Sequence, residues 1–144
     1  MKRIIAGAFF AWLLCTSFAA RADDVEQAMQ AAQQVLTLVA DNRLNTLWDT
    51  RVSKFFKDRV AKDVFLANLS QGRLSVGGAR LSSQVVDISY ANVDPQSGYK
   101  GDFYICRFLT KYPGGNFYES IVVIKEPDGQ FRLSGVAAAP APRD

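Results

Sequence analysis

The sequence predicts an α+β fold in which N-terminal helices pack on a curved, mostly antiparallel sheet of about four strands. Two observations predict it. Apolar residues first recur every three or four positions, and after Arg80 they alternate with polar ones. Short turns then separate the strand-like segments, and turns of this length join antiparallel strands. A chain of 144 residues suits one domain with one core.

The N-terminal segment has the composition of a cleavable secretory signal peptide. Met1-Lys2-Arg3 is basic, Ile4 to Ala20 is predominantly apolar, and Ala20-Arg21-Ala22 has the small-x-small pattern read by signal peptidase. We therefore expect cleavage after Ala22, a periplasmic or secreted location and no stable membrane anchor in the mature chain. The alternative is retention as an anchor, because the apolar stretch is close to the minimum length that spans a bilayer.

This segment also accounts for the basic charge of the chain. The whole chain has a formal net charge of +3, but loss of Lys2, Arg3 and Arg21 leaves basic and acidic residues balanced at 14 each. The remaining basic residues of the third predicted helix alternate with acidic residues at pairing distance. We therefore expect no nucleic-acid partner.

The chain has no histidine and two cysteines, Cys15 and Cys106. This excludes His-dependent nucleophilic catalysis and His-ligated zinc or haem, and two thiols cannot form a four-thiolate metal site. Cleavage after Ala22 leaves Cys106 alone in an apolar strand, which indicates a buried, unreactive thiol. We expect neither a metal nor another cofactor, and the spacing identifies no catalytic residue.

Three helices are predicted in the first half of the domain. The first begins at Asp23, capped by it or by its neighbour, and ends at Asp41-Asn42-Arg43. A short second helix begins at about Leu44, and a third extends from about Ser53 to Leu69. The glycines of Gln71 to Gly78 indicate the turn into the sheet.

Four strands and a disordered tail are predicted in the second half. The strands are Ser82–Asn92, Asp102–Thr110, Tyr118–Lys125 and Gln130–Ala138. The second is apolar on both faces, as expected for a strand covered on both sides. Pro and Gly residues place tight hairpins before the third and fourth strands. The resulting division is a signal peptide over 1–22, one α+β domain over 23–138 and a tail over 139–144.

The candidate functional residues lie at the turn into the sheet and among the aromatic residues. Arg73 and Arg80 bracket the turn, where their guanidinium groups could hold a carboxylate or phosphate, or simply satisfy carbonyls at a helix end. An acid such as Asp87 or Glu119 facing a pocket could transfer protons. The candidate pocket or turn residues are Trp48, Phe65, Arg73, Arg80, Tyr104 and Glu119.

Several short motifs follow one another along the mature chain: Trp48, Phe55-Phe56-Lys57, Arg73-Leu74, Arg80-Leu81, Ser97-Gly98-Tyr99, Glu119-Ser120-Ile121-Val122 and Glu126 to Gly135. This order resembles a bacterial envelope family, domain of unknown function 4019, from about Val25 to Val136. Phe65 and Phe131 stand where that family commonly has tryptophan, and Val136 where it has an aromatic residue. The resemblance implies a cone similar to the nuclear-transport-factor fold, and it brings no assigned activity.

Three classes of function remain open. The leading prediction is a periplasmic binding or interaction module, monomeric or weakly dimeric, that holds a small apolar ligand or an envelope protein. The second is a small isomerase or dehydratase, which an acid and a tyrosine facing an open pocket would favour. The third is a subunit of an envelope secretion complex, which would keep residues 1–22 as its anchor.

Overall fold

The computed structural model describes residues 12–94 and 96–142, with their side chains from Arg21 onward. Within these residues, four helices precede a four-stranded antiparallel sheet, which confirms the predicted α+β class. The helices are α1 (Trp12–Ala40), α2 (Leu44–Arg51), α3 (Lys54–Lys57) and α4 (Lys62–Ser75). The strands are β1 (Ser82–Val93), β2 (Lys100–Tyr112), β3 (Gly115–Lys125) and β4 (Phe131–Pro140).

The first helix begins earlier than predicted. It is already helical at Trp12 and passes without a break through Ala22, so the predicted cap at Asp23 does not form in the uncleaved chain. The neighbouring Asp24 instead accepts a hydrogen bond of 2.7 Å from Nζ of Lys125 on β3. This ion pair ties the helix to the sheet just beyond the predicted cleavage site.

The remainder of α1 packs across the inner face of the sheet. Ala28 and Ala32 are completely buried, and their small side chains let the helix lie close to β2, β3 and β4. The helix ends as predicted, because Asn42 adopts a left-handed conformation with φ of 56°. The amide N–H of Arg43 then donates to the carbonyl of Leu38 over 2.8 Å, which satisfies one of the last helical carbonyls.

The predicted single helix from Ser53 to Leu69 is in fact two helices. Ser53 is buried, and its hydroxyl caps α3 by accepting a hydrogen bond of 3.1 Å from the amide of Phe56. The chain then leaves the helical conformation at Ala61, where ψ is 147°, and α4 follows. α4 continues to Ser75, so the first part of the predicted turn is helical.

Two consecutive phenylalanines of α3 pack in different clusters. Phe55 packs against Phe103 and Ile124, with a ring-centroid separation of 5.5 Å to Phe103. Phe56 packs against Phe65 in the main core, also at 5.5 Å. Adjacent residues of a helix point about 100° apart, so the single turn of α3 contacts both clusters.

The sheet has the order β1-β2-β3-β4, as the predicted hairpins require. Register shifts interrupt the pairing of β1 with β2 at Val85/Asp87 and Ala91/Val93, and that of β3 with β4 at Val122/Val123. Such bulges bend and twist strands. The double coverage predicted for β2 is wrong over most of its length. Only one face packs on the helices, and Arg107 is exposed on the other.

Both ends of the chain bear on the predicted division into segments. β4 continues through Pro140, and the amide of Ala141 donates to the carbonyl of Asn116 over 2.9 Å, so residues 139–141 are held by the sheet and are no disordered tail. Residues 143–144 of that tail and residues 1–11 of the predicted signal peptide lie outside the described residues.

None of the described helices combines the length and the hydropathy needed to cross a membrane.

Candidate functional site

The curved sheet and the helices surround a cavity of about 480 Å³ that is partly open to solvent. It lies between α4, the C-terminal end of α1 and the paired strands β3 and β4. Cavities of about 300–1,000 Å³ are typical of small-molecule sites. The apolar part of the wall consists of Leu36, Val39, Phe56, Val60, Phe65, Leu69, Val76, Phe117, Ile121 and Val136. The cavity is therefore mainly an apolar compartment of small-molecule size.

One acidic side chain, Glu119, belongs to the cavity wall, and protein hydroxyls engage both of its carboxylate oxygens. Oε2 accepts a hydrogen bond of 2.5 Å from the hydroxyl of Thr110, and Oε1 accepts one of 2.6 Å from the hydroxyl of Tyr112. Thr110 is fully buried, and its oxygen also lies 3.2 Å from the hydroxyl oxygen of Ser83 on β1. The carboxylate therefore forms part of a hydrogen-bonded chain across three strands.

Tyr112 also lines the cavity, and its surroundings keep it protonated. Burial raises the pKa of its phenol well above the usual range, and the hydrogen bond to Glu119 raises it further. The positive charges of Arg80 and Arg73 oppose this rise without cancelling it. The phenol proton is thus retained at neutral pH and is directed to Glu119, so it is not available to a bound molecule in this arrangement.

Arg73, on the last turn of α4, is held by the end of α1. Its Nη1 donates to the carbonyl of Val39 over 3.1 Å and to the carbonyl of Ala40 over 3.0 Å. These are carbonyls of the last helical turn, which lack partners within the helix. Of the two roles predicted for this arginine, the structure therefore shows the role at the helix end.

Arg80 lies between α4 and β1 and has a different environment. It is half-buried and lines the cavity, and none of the described residues accepts a hydrogen bond from its guanidinium or forms a salt bridge with it. The same side chain borders a neighbouring depression that contains Asp41, but the two do not form an ion pair. The two arginines that bracket the turn are therefore not equivalent.

The segment between the arginines is attached to the β2–β3 hairpin by close backbone contact. The amide N–H of Gly114 donates to the carbonyl of Val76 over 2.9 Å, and a Cβ at Gly114 would lie 2.8 Å from that carbonyl oxygen. Gly77 has φ of 86°, and a Cβ there would lie 3.0 Å from the Gly114 nitrogen. Because Val76 also lines the cavity, this contact, which we call the glycine clasp, holds one side of the cavity wall.

Four of the six predicted site residues line the cavity, namely Phe65, Arg73, Arg80 and Glu119. Trp48 does not line it, because its ring packs on Phe65 from outside the cavity with a centroid distance of 5.2 Å.

The other predicted residue outside the cavity is Tyr104, which is 3% exposed. It packs between Tyr90 and Phe131, with centroid distances of 5.3 and 5.6 Å, in a different part of the inner sheet face. Asp87, the other acid considered for proton transfer, pairs with Arg107 on the outer face of the sheet. It is therefore separated from the cavity by the sheet.

Sequence reasoning missed Thr110 and Tyr112, the partners of Glu119. Thr110 is the last residue of the predicted second strand and Tyr112 lies between that strand and the next hairpin, and no role is predicted for either. The signal that could have found them is the spacing across the hairpin. The short turn at Pro113-Gly114 places Phe108 opposite Glu119, so that Thr110 and Tyr112 follow two and four positions further along the same face of β2.

The described residues include no cluster of three or more acidic, His or Cys side chains suited to a metal ion. Cys106 is fully buried on β2, with Sγ 3.9 Å from the carbonyl oxygen of Ala28. Burial raises the pKa of its thiol to about 12. The thiol therefore stays protonated, in agreement with the predicted unreactive cysteine.

The fold and the site define a small α+β protein with one curved antiparallel sheet and an apolar cavity between the sheet and the helices. The chain belongs to the family described as protein of unknown function (DUF4019), whose model matches residues 31–136. This range includes the C-terminal third of α1 and everything from there to the middle of β4, and it confirms the resemblance to that family. No curated protein and no solved structure was found to match the chain.

Proposed function

We propose that the protein is a non-catalytic binding module of the bacterial envelope, whose cavity holds a small, largely apolar ligand. The observation that carries the proposal is the cavity of about 480 Å³ with its predominantly apolar wall. Burial of apolar ligand surface contributes about 25 cal/mol per Å², so a molecule that fills such a compartment can bind without many polar contacts. We further propose that the fold is a cone of the nuclear-transport-factor type, since helices cover the concave face of one bent sheet.

The state of the polar groups favours binding over catalysis. A general base needs a carboxylate oxygen directed at the substrate, but both oxygens of Glu119 accept hydrogen bonds from Thr110 and Tyr112. A general acid needs a transferable proton, but the proton of Tyr112 is donated to Glu119 and its raised pKa disfavours its loss. These groups satisfy one another and make the wall rigid.

The experiment is binding of a neutral fluorescent probe, N-phenylnaphthylamine, followed by displacement with decanol. Ala138 lines the cavity opposite Glu119 on the neighbouring strand, whereas Ala139 faces the other side of the sheet opposite Tyr118. We expect Ala138→Leu to reduce probe affinity, because it fills the cavity, and the matched control Ala139→Leu to bind as the wild type does. Absence of probe binding by the wild type, or equal binding by both variants, would contradict the proposal.

Proton transfer is the second candidate function, and one observation favours it. An acid and a tyrosine, Glu119 and Tyr112, are hydrogen-bonded to each other and both line the cavity. A substrate that displaced either hydroxyl could bring its acidic C–H to the freed oxygen of Glu119. Once a ligand is known, exchange of its protons in deuterated water would test this role. Exchange that disappears in Glu119→Gln, while ligand binding persists, would establish catalysis.

We also propose a periplasmic or secreted location with cleavage after Ala22, on the basis of the signal-like sequence. Mass spectrometry of the protein recovered from an expressing bacterium is expected to show a chain that begins at Asp23. An intact N-terminus would instead favour the anchored subunit of an envelope secretion complex. An inert cavity together with co-purification of an envelope protein would favour recognition of a protein partner over a small ligand.

A further inference from the structure

The cavity is apolar over most of its wall, but its charged groups are distributed unevenly. Three charged side chains line it: Glu119, Arg73 and Arg80. Glu119 accepts hydrogen bonds from two protein hydroxyls, and Arg73 donates to two helix-end carbonyls. Of these three, only Arg80 makes no hydrogen bond or salt bridge with any described residue.

We infer that the cavity binds an amphipathic anion, whose apolar body lies among the aliphatic and aromatic side chains and whose single anionic group pairs with Arg80. This inference rests on the proposed function, since it names the chemical class of the ligand for the same cavity. The inferred ligand differs from a purely apolar one by a single charge-assisted contact, which it makes with Arg80.

The positions of the lining residues define the orientation of the ligand in the cavity. Phe65 and Ile121 are buried and form the inner wall, whereas Arg80 lies in the connection between α4 and β1 and is half-buried. The apolar body therefore lies toward the core, and the anionic group lies where the connection meets the cavity.

A guanidinium suits this role better than an ammonium would. Its planar donors match the two oxygens of a carboxylate, and the pair strengthens where water is partly excluded. The glycine clasp holds the backbone of the same connection against the β2–β3 hairpin, through the hydrogen bond from Gly114 to Val76. This restrains the segment that carries Arg80, so less conformational freedom is lost when an anion binds.

Three probes with the same alkyl chain test the inference: decanoate, decanol and decylamine. Their affinities are measured calorimetrically with the protein as the expressing bacterium processes it, alongside N-phenylnaphthylamine. We expect decanoate to bind at least about tenfold more tightly than decanol, which is the value of one good charge-assisted contact. Arg80→Gln should abolish this preference, so that decanoate binds no more tightly than decanol. Arg43→Gln, an exposed arginine outside the cavity, is the matched control and should keep the preference.

The possible failures are distinguishable. Equal affinity for decanoate and decanol, or a decanoate preference that survives in Arg80→Gln, overturns the assignment of an anionic ligand and leaves the apolar binding module intact. Tightest binding of decylamine also overturns it and points to Glu119 as the partner of the head group. If N-phenylnaphthylamine and all three decyl compounds fail to bind, the proposed function itself is wrong.

Discussion

The hydroxyl of Tyr112 on β2 donates a 2.6 Å hydrogen bond to Oε1 of Glu119 on β3, on the wall of an apolar cavity. This pair shows how a carboxylate can lie beside an apolar cavity and still have hydrogen-bond donors for its oxygens. A carboxylate removed from water loses hydration, and hydrogen bonds from neighbouring hydroxyls replace part of it. Tyr112 supplies one such bond and Thr110 the other. The pair is therefore a structural element of the cavity wall.

Replacing Tyr112 by Phe removes this hydrogen bond and is expected to lower the free energy of unfolding by about 1 kcal/mol at neutral pH. The effect should shrink at high pH. The pKa of Tyr112 is raised in the folded protein, so its stabilising contribution is complete below about pH 10, where the unfolded phenol is neutral, and declines as pH rises further. Urea denaturation from pH 8 to pH 11 measures the difference between wild type and variant.

Comparing the wild type with Tyr112→Phe separates the contribution of Tyr112 to stability from that of the other groups that titrate in alkali. The pKa values of Tyr90, Tyr104, Lys54 and Lys125 are also raised, so wild type and variant should both lose stability in alkali. A difference in unfolding free energy that is the same at pH 8 and pH 11 would show that the ionisation of Tyr112 is not linked to folding.

Substitution of Arg73 and substitution of Arg80 should change the free energy of unfolding by different amounts. Arg73→Gln removes two charge-assisted bonds to the carbonyls of Val39 and Ala40 and is expected to cost about 1–3 kcal/mol. Arg80→Gln serves as the matched control for stability and should change it by less than about 0.5 kcal/mol, because no described residue pairs with its guanidinium. Urea denaturation without ligand measures both, and equal losses would contradict the division of roles.

The glycine clasp provides a prediction about backbone contact. Gly114→Ala would place a Cβ 2.8 Å from the Val76 carbonyl oxygen, so the two segments must separate, at an expected cost of about 1–3 kcal/mol.

Gly72→Ala is the control, because a Cβ there meets nothing within 4 Å and alanine favours the helical conformation. It should stabilise the protein by up to about 1 kcal/mol. Thermal unfolding of both variants tests the clasp, and similar melting temperatures would show that close approach at Gly114 is unimportant.

Cys106 should be unreactive in the native protein. It is completely buried, and burial raises the pKa of its thiol to about 12, so very little thiolate forms at pH 8. Reaction with a disulfide reagent such as Ellman's reagent is expected to be slow without denaturant and fast in urea. The number of thiols titrated in urea also reports processing, since Cys15 is counted only when residues 1–22 are retained. Rapid native labelling of a processed chain would contradict the burial.

Much of the fold could be predicted because its signals are local. The left-handed residue after α1, the turn residues of the hairpins and the change in apolar periodicity each lie within a few neighbouring residues. Ser53 shows where local reasoning stopped. Its apolar neighbours are compatible with one long helix, but the amide of Ser53 donates to the carbonyl of Leu133 on β4 over 2.9 Å. That contact spans most of the domain and favours a short capped helix and a break.

The sequence by itself determined the fold class and the exclusion of histidine chemistry, because composition and periodicity express these directly, and the order of its short motifs indicated the family. Only the tertiary structure decided that Glu119 joins Tyr112 while Asp87 faces away, and that Arg73 is engaged while Arg80 is not. Strand register, sheet curvature and the meeting of α1 with α4 control those outcomes. These arise from contacts between residues far apart in the chain, which a local pattern does not encode.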